Sequence, residues 1–446
     1  MPLSGGAPTL PEGQRSRDPS KGGPHRGCAG EGPLGRAGPS PVTADGPADP
    51  TSGIGFGVVD VVGAFPVGAT VTRAELAADP HPALARLRAG EPVSWVPDLG
   101  SWLVTSRDAA LRVLRDARTF TVDDPRFSTA RVIGPSMLSL DGPAHTAARK
   151  AFAGPFRPAR VARRFTPRIT ALAAELVAGI RPGGQAELRA GLAGPLAVRV
   201  VAEVLGLPDI DTDTVRRWYS TFVTAVSEVT AGGPVPSAAG AAFGSLRAHV
   251  LGSIEGGDSL VADAVAAGLG REQAVSNAAV LLFGGIETTE GMILNLLRHL
   301  LGDQRGLAAV RDDPGLLPDA VEESLRLEPA AAVVDRYATG DVRIAGAPIR
   351  RGDPVTVSLA GANRDPATFP DPHSFDVHRA NARRHLAFAH GPHACPAMDL
   401  ARLEALIGMR TAVAGLPGIA LDERHPVAPS GLVFRKPATL HARWRP

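Results

Sequence analysis

Cysteine is nearly absent: the chain of 446 residues has two, Cys28 and Cys395. That excludes a disulfide framework, and a structural zinc site would lack ligands of the right number and spacing. Aromatic residues make up 4% of the chain. Alanine, leucine and arginine dominate instead, a bias that a GC-rich coding sequence explains as well as any function. Charge of one sign is not in excess either, since 47 Lys and Arg against 45 Asp and Glu leave a net charge of +2. No strong global field therefore points to nucleic acid or to a membrane. Long apolar runs are missing too, with none approaching the roughly 18 residues needed to span a bilayer. The most hydrophobic stretch, Ala278 to Leu301, carries Glu287, Glu290 and Arg298 and reads as a core helix. There is no apolar segment of a secretion signal. Arg15 and Arg17 are not adjacent, so a twin-arginine signal does not fit, and the cytoplasm is the expected location.

What is present is ordinary for a globular protein, 44% hydrophobic and 21% charged residues. The first 50 residues hold 11 Gly and 10 Pro with few large apolar side chains. They cannot bury enough surface to offset chain entropy. Residues 1–54 are therefore expected to be a disordered leader, either a real one or the product of a mis-called start. Order is expected to begin between Gly55 and Val71 and to continue as one domain to the C-terminus. Leu84 and Leu87 share a helical face, and Val93–Val96 and Trp102–Thr105 read as strands across a Pro97–Gly100 turn. Asp108–Asp116 returns to helical spacing, and Arg168–Leu301 is almost wholly helical, broken at Pro182, Pro208 and Gly232. Short strands are expected at Asp341–Ile344, Ala347–Ile349 and Val355–Ser358, then a helix at Met398–Ala414. The fold class is mostly α with a minor β part.

The segment Phe388-Ala-His-Gly-Pro-His-Ala-Cys395-Pro-Ala sets one cysteine in a Gly/Pro-rich loop just before a helix. Such a position favours the thiolate, and Pro396 suits a first helical residue. The bland alternative is a buried, inert thiol. Upstream, Leu282-Phe-Gly-Gly-Ile-Glu-Thr-Thr289 lies inside the longest helical stretch. Two glycines in a helix interior cost about 1 kcal/mol each, so a close approach to the backbone is expected there. Glu287 and Thr288 follow at once, an acid and a hydroxyl where the helix is expected to open. Glu323 and Arg326 stand at i, i+3, close enough to pair. His145 and Arg149 stand at i, i+4, on one helix face.

The pattern Phe-x-x-Gly-x-His-x-Cys-x-Ala resembles the haem-ligand loop of the cytochrome P-450 family, with Ala389 and Ala397 where the family usually has Gly. The order of the other motifs resembles the same family from about residue 55 to the C-terminus. The resemblance implies the cytochrome P-450 fold, haem b (iron protoporphyrin IX) as cofactor, and Cys395 as ligand of its iron, with Phe388 in the ligand loop. It implies that Gly284 and Gly285 let the central helix pass over the haem, that Thr288 hydrogen-bonds dioxygen, and that Glu287 relays protons. His145, Arg149, Arg336 and His393 match the family's contacts to the haem propionates, buried carboxylates that need cationic partners. Glu323 and Arg326, with Arg379 as third member, match the buried network that holds the proximal side together.

A thiolate opposite oxygen pushes electron density that favours O–O cleavage, so the implied activity is a haem-thiolate monooxygenase. No Rossmann fingerprint is present, because the Gly-rich stretches near the N-terminus lack a preceding strand. Electrons are therefore expected from a ferredoxin and an NAD(P)H-dependent ferredoxin reductase, docking near Arg383–His393. The pocket is expected to be lined from Asp124–Leu138, from the helices between Pro208 and Gly257, and from Phe283, Ala330–Val334 and Ser430–Val433. The resemblance implies a small-molecule or peptide substrate, in soluble bacterial members most often a secondary-metabolite intermediate that is hydroxylated, epoxidised or coupled. Two alternatives stand beside this: the same scaffold cross-linking without oxygen insertion or using peroxide, and a haem-binding sensor without turnover. The intact Glu287–Thr288 pair favours dioxygen activation and is left unexplained by a sensor.

Overall fold

The computed structural model describes residues 63–230 and 233–446. The expected leader and Cys28 fall outside the described residues. Among the described residues the first full turn of helix is Pro66–Ala69.

Helices dominate. The central one runs without a break from Arg271 to Gly302. Around it pack Gly194–Val204, Ser237–Gly256, Leu317–Leu327 and Met398–Gly415. The helix Pro158–Ile180 packs along Met398–Gly415 from outside. The central helix is long and apolar enough by composition to cross a membrane, but most of it is buried by its neighbours. It is the core helix that its embedded charges indicate.

One five-stranded sheet frames the opposite side, in the order Val93–Val96, Ser101–Val104, Pro354–Ser358, Val333–Ala338, Phe120–Thr121. The first two strands form a hairpin whose turn ends at Gly100, at φ 63°. Trp102 is buried behind it and donates from Nε1 to Asp353 Oδ2 at 2.8 Å. Strands 93–96, 347–349 and 354–358 fall where the alternation places them. Val333–Ala338 does not: its run Val-Val-Asp-Arg-Tyr-Ala shows no alternation of apolar and polar residues, and its pairing with Pro354–Ser358 is what defines it. This strand carries Arg336 into the interior.

The helix Leu317–Leu327 ties the two halves together through a buried ion pair. Arg326 grips Glu323 with both arms, Nε to Oε2 and Nη2 to Oε1, each at 2.7 Å, and both side chains are fully shielded from solvent. Arg379 Nε reaches Glu323 Oε1 at 2.9 Å, and the Asp376 N–H reaches it at 3.1 Å. The remaining guanidinium hydrogens are spent on carbonyls of the irregular segment before the cysteine loop: Arg326 on Asn363, Pro372 and Ser374, Arg379 on Pro370, Asp371 and Ser374. The expected third member is thus in place, and the whole segment 363–379 is threaded onto two arginines. Removing one partner of such a pair leaves an uncompensated buried charge, at a cost of about 3–5 kcal/mol. Glu323→Ala is expected to lower the unfolding free energy by that amount and to abolish haem loading. Denaturant titration and the Soret absorbance of purified protein measure both.

Candidate functional site

The loop before Met398–Gly415 is fixed by its own backbone. The Cys395 N–H donates to the Phe388 carbonyl at 2.9 Å, and the Ala394 N–H donates to Gly391 at 3.1 Å. Gly391 sits at φ 74°, and a Cβ there would stand 2.3 Å from the Leu114 carbonyl oxygen, so only glycine fits. The two alanines that replace the family's usual glycines differ. Ala397, at φ −94°, occupies ordinary backbone space. Ala389 is held at φ 57°, a left-handed conformation that costs a residue with a Cβ about 1–2 kcal/mol.

Two expectations for this loop need correction. The helix begins at Met398, with Ala397 as its cap, so Pro396 is not its first residue. The free thiol of Cys395 is not tilted toward thiolate. Burial pushes it up, and the Ala397 N–H, Arg149 and Arg402 only partly oppose this. A metal cation bound there would supply what the helix terminus does not, since a coordinating thiol is deprotonated outright.

On one side of the loop the helix Gly142–Ala153 brings up His145 and Arg149. The rings of His145 and His393 lie 4.3 Å apart. His393 Nε2 meets Asp141 Oδ1 at 2.7 Å. Burial opposes the charge on Asp141, but hydrogen bonds from His393, Thr121 and the Val122 N–H outweigh it and bring its pKa down to about 2. Arg149 donates to the Ala394 carbonyl. Arg336 is buried on its strand, donates to its neighbour's carbonyl, Asp335 O, at 2.7 Å, and forms no ion pair among the described residues. Burial lowers it to about 10, partly offset by Asp141 and Asp335. Burial also lowers His145 to about 4, with His393 and Arg149 adding to the effect. His145 Nε2 and His393 Nδ1 are buried with no partner among the described residues. Four polar groups with unspent capacity, converging beside a thiol, fit a cofactor that carries carboxylates.

On the other side lies the middle of the central helix. Most of its residues are buried, but Phe283, Gly284, Gly285, Glu287 and Thr288 are half-exposed. Gly284 faces open space, whereas a Cβ on Gly285 would lie 2.7 Å from Val201 Cγ2. Gly285 therefore admits the neighbouring helix Gly194–Val204, and only Gly284 is free to face a cofactor. The helix does not open at Glu287 as expected; Thr288 donates its hydroxyl back to the Gly284 carbonyl, within the turn. Glu287 accepts from the Tyr219 hydroxyl and from Lys436 Nζ at 2.8 Å, and Lys436 also reaches Glu290 Oε1 at 2.7 Å. Arg189 closes the chain on Glu290. Tyr219, Lys436 and Arg189 were not legible as site residues. The one hint was two acids, Glu287 and Glu290, on one face of a buried helix with no basic residue within a turn of either.

Some of the expected wall segments meet one another beside this face. Ala330–Ala332 is pinned to the C-terminal turn by Ala332 N–H to Val433 O and Arg435 N–H to Ala330 O, both 2.8 Å, and Phe434 packs edge-on against Phe283. The loop glycines give a paired expectation. Gly391→Ala must displace backbone and is expected to lose haem binding, whereas Ala389→Gly relieves a left-handed alanine at the loss of a partly buried methyl. The second variant is expected to hold or raise the thermal midpoint of the Soret band, measured beside wild type.

A family model described as "Cytochrome P450" matches residues 262–414. The chain is 37% identical over 396 residues to the cytochrome P450 monooxygenase PikC of Streptomyces venezuelae, covering 83% of this chain and 92% of that one. It is 36% identical over 377 residues to the mycinamicin IV hydroxylase/epoxidase of Micromonospora griseorubida, covering 80% and 94%. Among solved structures, cytochrome P450 CYP109Q5 from Chondromyces apiculatus superposes with a TM-score of 0.75 at 30% identity, covering 85% of this chain and 97% of that one. With relatives this similar over this much of its length, the chain belongs to the cytochrome P-450 family, a family of oxidoreductases whose fold binds haem b.

Proposed function

We propose that the protein is a dioxygen-dependent monooxygenase that tailors a secondary metabolite, with Cys395 as the protein ligand of the haem iron. The observation that carries this is the arrangement of a half-buried thiol, four under-used polar groups beside it, and an acid–alcohol pair on the half-exposed stripe of the central helix. Haem with a thiolate ligand supplies oxygen activation, because the sulfur pushes electron density toward O–O cleavage. Arg336, Arg149, His145 and His393 would hold the propionates, which gives the orphaned His145 Nε2 and His393 Nδ1 their partners. Phe388 would pack in the ligand loop and Gly284 would give the cofactor room. Thr288 and Glu287 would place protons on the distal side, where a general acid must act while bulk water is kept out. Before Glu287 can do so, its carboxylate has to leave Tyr219 or Lys436.

Electrons would come from a ferredoxin and an NAD(P)H-dependent reductase. Exposed Arg383 and Arg384 beside the cysteine loop support an acidic partner there. Relatives named for mycinamicin IV hydroxylation and for a monooxygenase support a substrate among secondary-metabolite intermediates, acted on by hydroxylation or epoxidation.

The first test is the reduced, carbon-monoxide-bound difference spectrum. Wild type is expected to show the strongly red-shifted Soret band of a thiolate ligand and Cys395→Ala to lose it; a band that survives in the variant would mean the ligand lies elsewhere. Thr288→Ala is expected to keep substrate-dependent NAD(P)H consumption while product per NAD(P)H falls about tenfold or more, since positioned proton transfer contributes about 100-fold or more. Product and peroxide assays with a surrogate ferredoxin system read this directly. Unchanged coupling would remove Thr288 from the proton path.

A further inference from the structure

Beneath the cysteine loop lies a second buried carboxylate that the reading above does not use. Glu322, 2% exposed, is the neighbour of Glu323 on the helix Leu317–Leu327 but points to different partners. Arg402, from the helix that follows Cys395, grips it as a fork, Nε to Oε1 at 2.6 Å and Nη2 to Oε2 at 3.1 Å. His385 Nε2 meets the same Oε2 at 3.1 Å. The tautomer of His385 follows from its other nitrogen. Nδ1 accepts the Ala387 N–H at 3.1 Å, so the proton sits on Nε2 and is aimed at Glu322. Burial opposes the charge on Glu322, but His385 and Arg402 hold it down at about 2, so it remains an anion.

The outer face of Arg402 is what connects this cluster to the loop. Its guanidinium carbon lies 4.7 Å over the ring of Phe388, a cation–π stack. The Phe388 carbonyl is the acceptor of the Cys395 N–H. Arg402 also acts on the Cys395 sulfur by its charge, in the same sense as Arg149. Glu322 therefore does two things: it orients the planar cation against Phe388 and it cancels part of that cation's field.

We propose that Arg402 and Glu322 are a positioning pair that fixes Phe388 on the cysteine loop and sets the charge felt at Cys395, and with it the reduction potential of the haem iron. The inference rests on Cys395 being the ligand. Reduction adds a negative charge to the iron–thiolate unit, so a nearby cation favours the reduced form and a nearby anion opposes it. The two partners of one ion pair should therefore move the potential in opposite directions. Loss of Arg402 lowers it and loss of Glu322 raises it. Damage to packing alone has no reason to give opposite signs.

The experiment is a spectroelectrochemical titration of holoenzyme for wild type, Glu322→Gln, Arg402→Gln and Arg402→Lys, with far-UV circular dichroism as the control for folding. At the wild-type midpoint, Arg402→Gln is expected to shift the ratio of ferrous to ferric protein at least threefold toward ferric. Glu322→Gln should shift it at least threefold toward ferrous. Arg402→Lys keeps the charge but not the fork or the planar stack, and should stay closer to wild type than Arg402→Gln. If Glu322→Gln fails to take up haem, the two Arg402 variants decide alone: a larger shift in Gln than in Lys supports the pair. Shifts of the same sign in the glutamine variants, or less than threefold in both Arg402 variants, overturn it. Carbon-monoxide spectra of the same samples separate this outcome from failure of the ligand assignment, because a wild type without the thiolate band would refute the ligand and leave no potential to interpret.

Discussion

Everything on the proximal side depends on burying Glu323 without leaving its charge unmatched. A carboxylate out of contact with water is tolerable only if fixed donors replace its hydration. Glu323 is given three sources: the Arg326 fork, Arg379, and a backbone N–H. The arginines then carry hydrogens that must also be satisfied, and the carbonyls of residues 363–374 satisfy them. An irregular stretch with no ladder of its own is thereby given a defined path, and the cysteine loop begins where that path ends. The network does not stabilise by being ionic. It specifies, because any other course of the segment would strand buried donors.

The same helix repeats the device on its other faces. Glu322 ties it to His385 and Arg402, which flank the loop. Glu328, at its C-terminal cap, meets His81 at 3.0 Å and Arg435 at 2.9 Å, joining the first long helix, Pro80–Gly90, to the C-terminal turn. Burial opposes the charge on Glu328, and His81, Arg435 and Arg364 hold it down at about 2. Three acids on one short helix thus anchor four segments, the stretch 363–379, the flanks of the cysteine loop, the helix Pro80–Gly90 and the C-terminal turn. The cluster around His145, His393 and Arg336 is built on the opposite principle. Among the described residues, His145 and His393 each retain a buried nitrogen with no partner and Arg336 forms no ion pair, unspent capacity that fits a carboxylate-bearing ligand.

The sequence was most readable where one local pattern suffices. The hairpin at 93–104, the helix from Met398, the Glu323–Arg326 spacing and the placing of His145 with Arg149 depend on neighbours within a turn or two, and they stand where spacing puts them. The strand Val333–Ala338 escaped because it is defined by its partner strands and not by its own alternation. Tyr219, Arg189 and Lys436 escaped for a related reason. None carries a distinguishing pattern in its own segment, and each gains meaning only against Glu287 and Glu290, reached from 68, 101 and 146 residues away. Glu322 was overlooked beside Glu323 because adjacent helical residues point to different sides. An acid pair in sequence is two sites in space.

The departures from the family's glycine pattern show why residue identity alone misleads even in a readable motif. Ala389 and Ala397 look like the same mild change, one methyl group each. The backbone separates them: Ala397 sits where any residue can, whereas Ala389 adopts a conformation that favours glycine. Ala389 has a partial offset, since its methyl packs against the cluster that includes Leu114 and Leu386. Gly391, two residues on, has none, because the atom in its way is a backbone carbonyl that no rotamer can move. The loop can therefore absorb a methyl where that methyl finds apolar contact and excludes it where the chain itself is in contact. The cost of each substitution is set by the neighbour facing it.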